Sequence, residues 1–132
     1  MRRVIKLEGK GNIVIEEIEI PDIADNEVLV KNEKSLISRG SELFARYTMP
    51  HAVSPSIMGY SDAGVIVRTG NDVKDFNIGD KVVAVAPHAE YVACVPNTPE
   101  ARIIPLTPDV SFDQATFLPL LTSSVAWAQS AG

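Results

Sequence analysis

The chain has 132 residues, of which 45% are hydrophobic and 22% charged, and its formal net charge is -5. This length suffices for one hydrophobic core and is short for two ordinary domains, so we expect a single domain over residues 1–132. No window is dominated by lysine and arginine. Binding to nucleic acid, which depends on clustered basic side chains, is therefore not expected.

The N-terminus and the cysteine count narrow the class of protein. The first 17 residues, MRRVIKLEGKGNIVIEE, contain several acidic side chains and lack the apolar core of a signal peptide. No run approaches the roughly 18 apolar residues that a membrane span requires. Cys94 is the single cysteine, which excludes an intrachain disulfide and a cysteine-rich structural zinc site. We expect a cytoplasmic protein that does not interact with membranes.

Alternating segments rich in valine and isoleucine predict strands along the first two thirds of the chain. Glycine, proline, asparagine and aspartate separate these segments and predict turns. Seven short strands divided in this way favour a barrel or a sandwich. The predicted strands are RRVIKL, NIVIEEIEI, NEVLVKNEKSLIS, SIMGYSDAGVIVRTG, DKVVAVA, EYVACV and ARIIPL.

One segment between these strands has a different pattern. In SRGSELFARYTMPHAVSPS, Ser41 and the four residues after it predict one short helical turn. Prolines and polar residues then predict a loop that is long for a compact domain. Loops of this length are commonly functional.

The C-terminal segment predicts helices. Ser111 is a predicted N-cap, and Pro119 is a predicted first-turn proline of a second helix. Apolar residues recur there at steps of three and four, which predicts a helix with one buried face. These residues are Leu118, Leu121, Val125 and Ala128.

Four glycines interrupt the β-branched stretch IMGYSDAGVIVRTGNDVKDFNIGDKVV. Because glycine weakens a strand interior, Gly59, Gly64 and Gly70 predict close approach of the backbone, bulges or bends at barrel corners. The pair Gly79-Asp80 predicts a turn.

This ordered set of glycines, with valines between them, resembles the medium-chain, zinc-type alcohol dehydrogenase family. The stretches SLISRGSELF, AEYV and DQATFLPLLTSSVAWA extend the resemblance over nearly the whole chain. It implies a mainly β fold, a GroES-like, partly open barrel with short helices and a C-terminal helical segment. It also implies a C-terminal Rossmann domain that binds NAD or NADP. Since no GxGxxG motif occurs here, we expect that domain to be absent from this chain and the chain alone to be inactive.

The resemblance also predicts that no metal is bound. It places Ser38, Tyr60 and Leu121 where the zinc members of the family carry their ligands. A hydroxyl, a phenol and an isobutyl group are not zinc ligands at neutral pH. The turn sequence AVAPHAEYVACV replaces the family's four-cysteine lobe. We therefore expect a zinc-independent member of the family.

The same resemblance assigns the candidate site. Ser38, Tyr60 and Glu42 would line the catalytic cleft, where the Tyr60 phenol can donate a hydrogen bond to a substrate carbonyl. Arg39 and Ser41 would contact the cofactor, because a guanidinium suits its phosphates. The alternative interpretations are a tyrosine that only packs, a solvated arginine and a serine that only caps a helix.

The remaining notable side chains have plainer interpretations. His51 and His88 lie in loops next to prolines, where a histidine usually faces solvent. Cys94 is expected to pack as a small apolar group in a strand. Trp127 and residues 118–121 predict either a surface for the cofactor domain or a cap over this domain's own core. Exposed apolar area in the isolated chain would favour a homodimer.

Taken together, these features predict hydride transfer between a nicotinamide and a small-molecule carbonyl, alcohol, activated alkene or quinone. The substrate would bind between the two domains of the intact protein. Without zinc to acidify an alcohol, reduction of an alkene or quinone is favoured. A stand-alone binding or adaptor module remains the alternative. A hydrolase that uses Ser38 is disfavoured because no Gly-x-Ser-x-Gly motif is present.

Overall fold

The computed structural model describes residues 1–48, 56–96 and 103–130. The strands in these ranges are β1 (Arg2–Lys6), β2 (Ile13–Glu17), β3 (Val28–Ser35), β4 (Ser56–Ile57), β5 (Asp62–Thr69), β6 (Lys81–Ala84), β7 (Tyr91–Cys94) and β8 (Ile103–Pro105). The helical elements are a π-helical segment (Arg39–Thr48), α1 (Phe112–Ala115) and α2 (Leu118–Ser130).

The strands form two antiparallel sheets, with orders β2-β1-β4 and β7-β3-β5-β6-β8. Residues 88–90 join them. The Val4 amide donates to the His88 carbonyl at 2.9 Å, the Glu90 amide donates to the Arg2 carbonyl at 3.0 Å, and the Asn32 amide donates to the Glu90 carbonyl at 2.9 Å. The predicted mainly β, partly open barrel is confirmed.

Each predicted strand region contains a strand, although the boundaries differ. The region SIMGYSDAGVIVRTG divides into β4 and β5, and the break includes Gly59, whose φ of 114° is unfavourable for other residues. The predicted second strand ends at Glu17 rather than at Ile20. The pairing of β3 with β5 is irregular at two places, between Leu29 and Val30 and between Asn32 and Lys34.

The glycines of β5 and its neighbours lie where other chain segments approach closely. A Cβ on Gly64 would lie 2.2 Å from the Lys31 carbonyl oxygen, and one on Gly70 would lie 2.2 Å from that of Asp25. A Cβ on Gly59 would lie 2.3 Å from the His88 amide nitrogen. The predicted close approach is confirmed at all three positions.

Two apolar clusters follow from the alternation of side chains along the strands. The barrel cluster contains Val28, Val30, Ile66 and Val82, each 0% exposed, together with neighbours such as Phe76. On the opposite face of β5 and β6, an outer cluster consists of Ala63, Val83 and Ala115, with Leu118 packed against it. The central strands are therefore covered on both faces.

The helical segment after β3 begins earlier and is longer than predicted. It starts at Arg39 rather than Ser41 and continues for ten residues. The physical reason is a reciprocal cap, in which the Ser41 amide donates to the Ser38 hydroxyl at 3.3 Å and the Ser38 amide donates to the Glu42 carboxylate at 2.7 Å. The predicted helical turn over residues 41–45 is confirmed, the predicted loop was wrong for residues 46–48, and its continuation over residues 49–55 lies outside the described ranges.

The C-terminal helices were predicted correctly in position. Ser111 caps α1 in a capping box with Gln114, and Pro119 is the second residue of α2. The predicted buried face of α2 was wrong, because no residue of this helix is buried. Only Leu118 packs on the outer cluster, whereas Trp127 is 79% exposed. None of the helices in the described ranges is long and apolar enough to cross a membrane.

Candidate active-site cleft

A buried carboxylate–imidazole pair lies at the end of the π-helical segment nearest β3. Glu42 is 2% exposed, and its Oε1 lies 2.9 Å from Nε2 of His88. The other carboxylate oxygen, Oε2, accepts the hydrogen bond from the Ser38 amide. Both oxygens of this carboxylate are thus held in fixed positions.

The backbone around His88 positions the imidazole. Its amide donates to the Met58 carbonyl at 2.6 Å, and its carbonyl accepts from Val4. Gly59 permits this approach, since a side chain there would overlap the His88 backbone. The segment that joins the two sheets therefore also places the imidazole beside Glu42.

The prediction that His88 faces solvent was wrong, because only 5% of this residue is exposed. The pair joins residues 46 positions apart, and pattern reasoning does not detect such a contact. The one sequence signal is Gly59, whose close-approach partner proved to be His88. His51, the other histidine, lies outside the described residues.

Next to this pair is a small cavity of about 140 Å³, the cleft cavity. It is lined by Ser41, Glu42, Ile57, Gly59 and Tyr60. The structure thus brings together three of the residues that the sequence assigned to the site, one acidic and two with hydroxyl groups. Ile57 and the glycine backbone complete a wall of mixed polarity.

The other two assigned residues lie beside the cavity without lining it. Ser38 is 5% exposed and caps the π-helical segment, because its hydroxyl accepts a hydrogen bond from the Ser41 amide. Arg39 is exposed at the start of that segment, and it forms no ion pair within the described part of the chain. The five assigned positions therefore divide into three cavity residues, one cap and one free guanidinium.

A second acidic residue, Asp62, is buried close to the site. It is 0% exposed, and neither carboxylate oxygen has a hydrogen-bond partner among the residues described. Burial, with a smaller contribution from the nearby Glu42 charge, raises the pKa of Asp62 to about 8. The side chain is consequently neutral near pH 7. Sequence reasoning missed this residue, although an aspartate directly before the apolar run AGVIV was a signal.

Cys94 behaves as predicted from the sequence. It is partly buried on β7, packs against the barrel cluster and forms no disulfide. Burial, with smaller contributions from the charges of Asp62 and Glu27, raises the pKa of its thiol to about 11. A thiol of this kind is not a nucleophile at neutral pH.

The three positions that the resemblance places at zinc ligands do not fit a zinc ion. Ser38 is engaged in its cap, Tyr60 offers a phenol, and Leu121 is 53% exposed on α2. Zinc sites use thiolate, imidazole and carboxylate ligands. Across residues 1–48, 56–96 and 103–130, no three His, Cys, Asp or Glu side chains are grouped so that they could hold a metal ion.

Comparison with known proteins identifies the family. The alcohol dehydrogenase GroES-like domain matches residues 24–103. An uncharacterized zinc-type alcohol dehydrogenase-like protein of Haemophilus influenzae is 35% identical over 94 residues, which cover 70% of this chain and 26% of that protein. The NADPH-dependent alkenal/one oxidoreductase of Arabidopsis thaliana is 30% identical over 132 residues, covering 89% of this chain and 31% of that protein.

Solved structures show the same relationship. The quinone oxidoreductase from Coxiella burnetii superposes with a TM-score of 0.72 at 26% identity, covering 89% of this chain and 40% of that one. The match spans between 25% and 37% of the length of the curated relatives. The chain belongs to the alcohol dehydrogenase GroES-like domain family, and through it to the medium-chain dehydrogenases/reductases.

Proposed function

We propose that residues 1–132 form one catalytic, substrate-binding domain of a zinc-independent, NAD(P)-dependent oxidoreductase. The cofactor would be bound mainly by a Rossmann domain that is not part of this chain. The observation that carries the proposal is the cleft cavity, where Glu42 and Tyr60 lie together in a member of a family of oxidoreductases. Because the assigned positions do not fit zinc, we favour reduction of a polarised alkene or quinone over oxidation of an alcohol.

The cavity wall supports a small substrate with one polar end. Ile57 is 51% exposed and provides apolar surface at the cavity, while Tyr60 provides a hydroxyl. A phenol that donates a hydrogen bond to a carbonyl oxygen stabilises the negative charge that develops there during reduction. Tyr60 would thus supply part of the polarisation that zinc supplies in other members of the family. The names of the alkenal/one and quinone oxidoreductases are consistent with this substrate class.

The exposed residues at the start of the π-helical segment fit a dinucleotide. Arg39 is exposed and has no ion-pair partner in the described ranges, so its guanidinium is available to a phosphate. Ser41, two positions further, lines the cleft cavity and can hydrogen-bond to a part of the cofactor near the substrate. When bound, the reduced dinucleotide supplies the hydride. This chain positions the substrate and excludes water from it.

The proposal also gives a role to the exposed apolar side chains of α2. Leu121, Val125 and Trp127 are each more than half exposed. We assign this surface to contact with the cofactor domain, or with a second copy of the chain if the protein is a homodimer. Such a surface is unfavourable in water and is stabilised when it is covered.

The test uses the protein encoded by the complete reading frame. We expect oxidation of NADPH or NADH by a 2-alkenal or a quinone, in protein that elemental analysis shows to be free of stoichiometric zinc. Replacing Tyr60 with phenylalanine should lower kcat by about 100-fold, because the substrate oxygen loses a hydrogen-bond donor. KM should change far less.

Tyr91→Phe is the matched control, since Tyr91 lies on β7 and does not line the cleft cavity. Its kcat should equal that of the wild type. Activity that depends on stoichiometric zinc would refute the proposal, as would full activity of the Tyr60→Phe variant. Failure of the complete protein to bind either dinucleotide would favour the stand-alone binding module instead.

A further inference from the structure

His88 connects the cleft cavity with a second, larger cavity. The second cavity has a volume of about 250 Å³ and lies beside β1 and β3. His88 lines this cavity, and Glu42 lines the cleft cavity. The two side chains are in contact at 2.9 Å between Nε2 and Oε1. The pair therefore spans the wall between two spaces that are each large enough for water.

The second ring nitrogen of His88 has no assigned role in the fold. Nδ1 is buried and has no hydrogen-bond partner among the residues described. Buried polar atoms are nearly always hydrogen-bonded, to protein or to ordered water. An imidazole can accept a proton at one nitrogen and release one from the other. Nδ1 is closed to water in this structure, so a water molecule has to enter from the adjacent second cavity to satisfy this atom and exchange protons with it.

We propose that Glu42 and His88 form a proton relay from the second cavity to the cleft cavity. This inference rests on the proposed reduction, in which one hydride and one proton are added to the substrate. The Nε2 proton of His88 passes through the Glu42 carboxylate to the substrate, and in the same step Nδ1 takes a proton from water, so no imidazolate forms. The water is left as hydroxide, the net supply is one solvent proton per turnover, and the ring returns to the Nε2–H tautomer before the next turnover. His88 acts through Glu42 and does not touch the substrate.

The charged groups around His88 are consistent with this path. Those that line the second cavity are Arg2, Arg3, Glu33, Lys34 and Glu90. Arg2 and Glu90 pair with each other at 2.6 Å, whereas the other three pair with residues outside the cavity lining: Arg3 with Glu16, Glu33 with Lys31 at 3.8 Å and Lys34 with Asp113 at 3.5 Å.

Asp62, which is close enough to Glu42 to feel its charge, is buried and neutral near pH 7 because its pKa is about 8. In the described ranges, Glu42 is the carboxylate that contacts the imidazole directly.

The first test replaces His88 with glutamine in the complete protein. The glutamine amide can donate to Glu42 from nearly the same place as Nε2, but it cannot pass a proton on. We expect kcat to fall at least tenfold with KM and melting temperature little changed. His88→Ala should lose as much activity and regain part of it when imidazole is added. Wild-type kcat in the glutamine variant would overturn the relay and leave His88 with a positioning role only.

A second test does not depend on turnover. In the complete protein labelled with ¹⁵N-histidine, the signals of His88 are those that disappear in the His88→Gln variant. We expect the ring N–H of His88 to exchange rapidly with water and to slow when Glu42 is replaced by glutamine. A ring N–H protected for hours would overturn the relay. If the wild type shows no reductase activity, the proposed function fails, and this exchange measurement still decides whether the path exists.

Discussion

The barrel interior and α2 are both rich in apolar residues, yet they differ completely in burial. Val28, Val30 and Ile66 are 0% exposed, whereas Trp127 is 79% exposed and Leu121 is 53% exposed. The strands of the barrel pair with one another within the chain, and their inward side chains pack together in the barrel cluster. Nothing in the described residues covers the C-terminal part of α2. Apolar spacing therefore predicts a face that needs a partner, and only the fold reveals whether the chain itself provides one.

The largest effect should follow from disturbing the close approach inside the barrel. Replacing Gly64 with alanine puts a Cβ 2.2 Å from the Lys31 carbonyl oxygen, so β3 and β5 must separate. We expect a loss of about 3 kcal/mol or more in the free energy of unfolding, measured by urea denaturation. Gly40→Ala is the matched control, because a Cβ there meets no atom within 4 Å. Equal stabilities of the two variants would contradict the role of close approach.

A pH-dependent effect should follow from the buried Asp62. Its pKa is about 8 in the folded protein, against 3.8 as the ordinary value. Between these values the folded state holds a proton that the unfolded state has released. The free energy of unfolding should therefore fall as pH rises, by up to about 1.4 kcal/mol per pH unit, with the stabilisation complete below pH 4 and lost above about pH 8.

Asp62→Asn removes this ionisation and nearly preserves the shape of the side chain. The variant should lose the Asp62 contribution to the pH dependence and should be more stable than the wild type at pH 8 and above. Thermal melts at half-unit intervals from pH 5 to 9 measure this difference. Parallel curves for the two proteins would show that Asp62 is hydrogen-bonded and charged in solution.

The smallest effects are expected in α2, where two substitutions sharpen the contrast. Leu118→Ala removes packing from the outer cluster and should cost about 1 kcal/mol, since this side chain is only partly buried. Trp127→Ser should change the free energy of unfolding by less than about 0.5 kcal/mol, because the indole is mostly exposed. It should instead reduce self-association of the chain, measured by sedimentation velocity. A large loss of stability from Trp127→Ser would mean that the indole is covered.

Part of the lining of the cleft cavity could be anticipated from the chain alone. The resemblance assigned Ser41, Glu42 and Tyr60, and all three line one cavity. His88 and Asp62 were not anticipated as members of the site. The first was expected to face solvent, and the second lies in a strand that was interpreted only as structure. Both gain their properties from burial, which depends on packing between distant segments rather than on neighbours in sequence.

By itself, the sequence determined the local features: the strand segments, the turn at Gly79-Asp80, the cap at Ser111 and the glycines at Gly59 and Gly64. Each depends on the conformational preferences of a few consecutive residues or on the absence of a side chain. The tertiary structure decided the rest, including the pairing of Glu42 with His88, the neutral state of Asp62 and the exposure of α2. These depend on which surfaces meet and exclude water, and a carboxyl, an imidazole or a tryptophan has different chemistry according to that outcome.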